Sequence, residues 1–262
     1  MTKSAISALV DVLVQEGRIS LDDPAPIPQW QGPGDPRRRI TFDHLLRISS
    51  GLQFNEDQSD PLADGTYMLL GVPDAAAYAA AKPLVADPGE RWRYSSGSTN
   101  ILAYAIRRIV GESRYLDFPR RALFDRLRMA SAVLETDAAG TFVGSSFMYA
   151  SARDWARLGL LFLYDGVWSS QRILPEGWVA SALSPAPNAP DRQYGAHVWL
   201  RIPPGIPVRR RSAVAACRRL PLHRTRGAVR DRHAVSRAGA RSTRIDALSL
   251  CLGSPPLRSS GI

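Results

Sequence analysis

Tyr94, followed by the hydroxyls of Ser95 and Ser96, stands where a turn and a short extended piece give way to a helix. Pro88-Gly89 marks the turn. Ser98, Thr99 and Asn100 are all residue types that cap helices, and Ile101, Ala105, Ile106 and Ile109 follow at helical spacing. A tyrosine just ahead of a helix entry is often presented to a cleft. From these residues alone, a tyrosine packed at a loop-to-helix junction is the competing reading.

Several other elements would have to hold this junction. Met1 to Val14 carries apolar residues at i, i+3, i+4 and i+7 and reads as a largely buried helix, closed by Gly17. A Pro-rich loop to about Pro36 leads to a short helix after Thr41 or Asp43, ending at Gly51. His44 lies on it among apolar neighbours without metal-ligand spacing, and reads as a structural, hydrogen-bonded histidine. Further helices are expected over Pro73–Lys82, Arg114–Arg128 and from Ser151 to near Gly166, the last with Trp155, Leu158 and Phe162 facing inward. Another should begin near Pro175. Tyr194 to Arg201 alternates as a strand. Trp155 and Trp178 read as core residues.

The stretch Pro88-Gly-Glu-x-Trp92-x-Tyr94-Ser-Ser96 resembles the tyrosine box of the serine β-lactamase-like hydrolases, which include class C β-lactamases, DD-peptidases, esterases and 6-aminohexanoate-dimer hydrolases. The segments 144–180 and Tyr194-Gly before Trp199 resemble the same family. The resemblance implies an α+β, β-lactamase/transpeptidase-like fold, represented mostly by its helical part, with the central antiparallel sheet incomplete. It makes Tyr94 the catalytic phenol and Ser96 a substrate-binding position. Met1-Thr2-Lys3-Ser4 resembles the Ser-x-x-Lys box, which makes Lys3 the motif lysine and puts the motif serine immediately before Met1. In such enzymes the serine attacks an amide or ester carbonyl to form an acyl-enzyme that water cleaves. A lysine one helical turn away supplies the base, and a nearby ammonium would lower the tyrosine pKa from about 10.

No Lys-Thr-Gly or His-x-Gly box follows Trp199. Acyl transfer also needs a nucleophile and both oxyanion donors. The chain is therefore expected to be inactive as written, defective at both ends. The helix at 1–16, deprived of its sheet, is expected to expose an apolar patch.

Charge divides the chain into 1–207, the hydrolase-like domain, and 208–262, an Arg-rich tail. The net charge is +10, yet the tail alone carries thirteen Arg against Asp231 and Asp246, leaving about −1 for the rest. The tail also holds both cysteines and no aromatic residue, a composition attributed to a shifted reading frame near codon 207 or to disorder. A non-catalytic helical domain with a basic nucleic-acid-binding arm is the alternative, disfavoured by the lack of Lys and aromatic interleaving. No run of about 18 apolar residues suggests a membrane span, and residues 5–14 lack a signal-peptide cleavage pattern, so localisation stays open. No cofactor or metal is expected; the expected partner is a small-molecule amide or ester.

Overall fold

α1, Thr2–Gln15, is apolar on nearly every side, and all of it from Thr2 to Leu13 except Ser4 is buried. In the computed structural model, which describes residues 1–57 and 59–201, this helix packs on α5, Ser96–Val110, and on a single π-turn, Arg120–Phe124. The loop at Gly144 closes over it so tightly that a Cβ there would lie 2.7 Å from Ile6 Cγ1. The expected apolar patch on this helix is therefore absent. Helices and loops supply the cover for which sequence reasoning had invoked a sheet.

α5 starts earlier than its cap-forming residues suggested. Ser95 is the N-cap, its hydroxyl accepting from Ser98 N at 3.2 Å, so Ser98, Thr99 and Asn100 already lie inside the helix. This places Ser96 and Thr99, three apart, on one face of the first turn. Ile101, Leu102, Ala105 and Ile106 form the buried stripe, and Gly111, with φ of 84°, ends the helix. α4, Ala75–Ala80, is built almost wholly of alanine and comes close to α5. A Cβ on Gly97 would sit 2.9 Å from Ala79 Cβ and 2.7 Å from the Phe54 ring.

α2, Phe42–Leu46, shows a reciprocal cap: Thr41 Oγ1 accepts from His44 N, and His44 Nδ1 accepts from Thr41 N, both at 3.2 Å. His44 is thus a capping residue. α3, Asp64–Leu70, is tied to α4 through Asp64, which accepts from Tyr78 Oη at 2.6 Å and pairs with Lys82. The helix expected over 114–128 is broken into α6, Glu112–Tyr115, and the π-turn, because Pro119 between them has no N–H to continue the ladder. α7, Ala152–Leu163, begins at its Ser151 cap, with Trp155 and Leu158 buried and Phe162 stacked on Trp178 at 4.5 Å. α8, Trp178–Ala182, follows a left-handed Gly177, so Pro175 lies before the helix instead of at its first position.

Strands are few among the described residues. β1, Val133–Leu134, pairs antiparallel with β2, Met148–Tyr149, and β3, Val167–Trp168, with β4, Gln171–Arg172. The described residues thus form a helix-rich body with little sheet, in line with the expected incomplete sheet. Residues 194–201 are not the expected strand. Tyr194 and Trp199 form a lone antiparallel bridge, and His197 between them takes φ of 56°, which turns the chain back on itself. Tyr194, Gly195, Ala196 and His197 are all buried in succession, so the residues do not alternate between two faces. The tail 208–262, the 207 boundary and the nucleic-acid reading of the basic arm lie outside the described residues.

Candidate active site

Lys3 sits in the first turn of α1 and points at the first turn of α5. Its ammonium donates to Ser96 Oγ at 3.1 Å and to Thr99 Oγ1 at 3.4 Å, and stands 5.3 Å from the centroid of the Tyr94 ring. The side chain is only 8% exposed. All three residues singled out in the sequence, Lys3, Tyr94 and Ser96, therefore meet at one place.

The protonation states follow from burial. Loss of water around Lys3 pulls its pKa down to about 8, only partly opposed by the Glu56 carboxylate. Near neutral pH such an amine is far more often free of its proton than an exposed lysine, with a conjugate acid matched to proton transfer. Tyr94 goes the other way. Burial, and then Glu56, raise it to about 12, against the expectation that a neighbouring ammonium would lower it. The cation lies against the face of the ring. Tyr94 is thus a neutral phenol, a donor before it is an acceptor, with Lys3 the group that can hold or release a proton.

Five further residues complete the site, none of them given a chemical role from the sequence. Glu56 accepts the N–H of Ser96, placing a carboxylate at the positive end of α5 and beside both Lys3 and Tyr94. Trp199 stacks on Tyr94 with ring centroids 5.3 Å apart, and Tyr194 meets Tyr94 edge-on at 5.8 Å. Thr99 and His197 share a contact of 3.1 Å behind Lys3. Thr99 could have been found from its three-residue offset from Ser96 had the helix start been placed correctly. Glu56 lies in a loop without periodicity, and nothing in its neighbourhood announces it.

Residues 1–220 match the family described as Beta-lactamase. The chain belongs to the β-lactamase family. Among relatives, a 6-aminohexanoate-dimer hydrolase of Paenarthrobacter ureafaciens is 26% identical over 196 residues, 70% of this chain and 49% of that enzyme. The β-lactamase-family chain thus spans about half the length of the curated relative it matches. The fold agrees with solved structures: a protein of Bacillus anthracis provisionally named as a 6-aminohexanoate-dimer hydrolase superposes with a TM-score of 0.61, at 23% identity, covering 76% of this chain and 57% of the other. A D-stereospecific amidohydrolase of Streptomyces sp. gives a TM-score of 0.58 at 20% identity, covering 75% and 68%.

Proposed function

We propose that this chain carries the proton-transfer half of a serine hydrolase centre acting on a small-molecule amide or ester through an acyl-enzyme. The observation that supports this most is the buried Lys3 ammonium held between Ser96 and the Tyr94 ring. In this reading Lys3, deprotonated, takes the proton from a serine hydroxyl one helical turn before it on α1. Tyr94, a neutral phenol, gives a proton to the departing amine or alkoxide and recovers it through Lys3. Ser96 holds Lys3 and lines the site for substrate. The amide side of the reading draws on the relatives, one named for a 6-aminohexanoate dimer and one for D-stereospecific amidohydrolysis.

This reading places the serine nucleophile three residues before Lys3, outside the 262 residues, and the 262-residue form is the control for its role. The test compares it with a form extended by one serine before Met1. Both are incubated for hours with an activated ester probe and read by intact mass. The extended form should gain one acyl group, and Lys3→Ala in that background should cut the acylation rate by at least about a hundredfold. Tyr94→Phe should slow turnover of an unactivated amide more than acylation by the activated ester, whose leaving group needs no proton. A folded, extended chain without adduct, or one indifferent to Lys3→Ala, would sink the assignment.

A further inference from the structure

His197 is a buried titratable residue with no part in the chemistry above, and its backbone is fixed on both sides. Its N–H donates to Leu46 O at 3.0 Å, and its carbonyl accepts from Ser4 Oγ at 3.0 Å, the residue next to Lys3. Between those ties the backbone adopts a left-handed φ of 56°, unusual for a residue with a side chain and a cost that the fold sustains elsewhere. The imidazole is thereby set against the same turn of α1 that bears the lysine.

Donor and acceptor accounting allows two states. An ammonium has only N–H donors, so Thr99 Oγ1 accepts from Lys3, and it either accepts again from His197 Nε2–H, 3.1 Å away, or turns its own proton to a bare Nε2. In the second state Nε2 accepts, and the ring proton resides on Nδ1. Nδ1 is buried and has no hydrogen-bond partner among the described residues, so this tautomer leaves a donor unsatisfied. Only the hydrogen bond on the opposite side of the ring offsets that.

We propose that His197 is a positioning residue: through the Thr99 hydroxyl it orients a lone pair onto Lys3 Nζ and so stabilises the ammonium against loss of its proton. The proposal rests on the reading of Lys3 as the proton-transfer group. Other groups also face Lys3 and set the background against which this contact acts. The Glu56 carboxylate favours the ammonium, the Met1 amino group opposes it, and Tyr94 and Ser96 approach as a ring face and a hydroxyl. Burial, and then the Lys3 charge, keep the imidazole neutral, with its pKa pushed down to about 3, which leaves one ring nitrogen free to accept across the working range.

The sequence favours a direct test, since it contains two lysines, Lys3 and Lys82, and four histidines. The full chain, labelled with 13C and 15N in lysine and histidine, gives two lysine side-chain titrations by NMR. That of Lys82, paired with Asp64, lies at the higher pH. His197 should show a protonated Nδ1 and an unprotonated Nε2 from pH 5 to 8. Thr99→Val, which keeps the side-chain shape, should lower the Lys3 midpoint by about one pH unit, a tenfold change in its proton equilibrium. His197→Leu should lower it similarly in the native background and not at all in the Thr99→Val background. If the leucine variant does not fold, the tautomer and the valine variant still decide. A proton on Nε2, an unmoved Lys3 midpoint in Thr99→Val, or an equal effect of His197→Leu in both backgrounds would overturn the proposal. None of these readouts needs acylation, so failure here is distinct from failure of the acyl-transfer reading.

Discussion

Replacing Asp11 with asparagine should make the protein more stable, and the gain should grow with pH. Asp11 lies mid-helix in α1, 2% exposed, with a hydroxyl from Ser7 at 3.4 Å and no salt-bridge partner among the described residues. Burial pushes its carboxyl from 3.8 up to about 8, while hydrogen bonds with the Trp178 and Ser7 side chains pull the other way. The folded state therefore keeps a proton that the unfolded chain has lost. Stability is full below about pH 4, falls as pH rises through the interval to about 8, and is flat above it. At about 1.36 kcal/mol per pH unit, the roughly three units between 3.8 and pH 7 cost on the order of 4 kcal/mol. That is a large share of the 5–15 kcal/mol that separates folded from unfolded domains. Asparagine keeps the size and can still accept from Ser7, but does not ionise. Urea unfolding followed by tryptophan fluorescence at pH 5, 6.5 and 8 gives the difference between variant and native chain, cancelling the other titrating groups. A difference that stays constant with pH, or shrinks between 5 and 8, would refute the reasoning.

Lys3 should impose a similar cost with the opposite pH dependence. Its folded pKa lies below the unfolded value, so the penalty is complete below about pH 8 and is relieved as pH rises towards 10.5. Lys3→Met should therefore raise stability at pH 7 by about 3 kcal/mol and, on the proposed reading, remove the proton-transfer group, a trade between stability and activity. A methionine variant less stable at pH 7 in urea would contradict this. Gly195→Ala should destabilise by about 3 kcal/mol, because the added Cβ would meet Ala182 O at 2.1 Å and backbone cannot step aside. Near-ultraviolet circular dichroism should also report disturbed stacking of Trp199 on Tyr94; an unchanged spectrum would mean that the 194–200 turn is not held by this contact.

How far the sequence disclosed the molecule depended on whether a feature is local. The α1 stripe, the Thr41 and Ser151 caps and the alanine run of α4 are set by neighbours three or four residues away, and each could be read directly. The family resemblance at Tyr94 and Lys3 led to residues that the structure brings together. Errors arose where distant contacts override local pattern. Tyr194 to Arg201 alternates like a strand, yet Leu46 and Ser4 hold His197 in a reversal. Ser98 to Asn100 look like caps, but Ser95, with Glu56 forty residues away, sets the helix start. The direction of the Tyr94 shift depends on burial and on Glu56, neither visible in the tyrosine box itself.

The span of the contacts around Lys3 also bears on how the protein reaches its folded state. The lysine meets Ser96 across 93 positions, and its neighbour Ser4 meets His197 across 193. Closing loops of that size costs chain entropy before any contact repays it, and domains dominated by such contacts fold slowly. The helix pair α1–α5 closes the smaller loop, and the 194–200 turn must then find a surface that this pair creates. Assembly of the Lys3 cluster is thus bound to the longest-range hydrogen bond among the described residues, Ser4 to His197. Refolding kinetics read at Trp199 should accordingly lag those read from helix content.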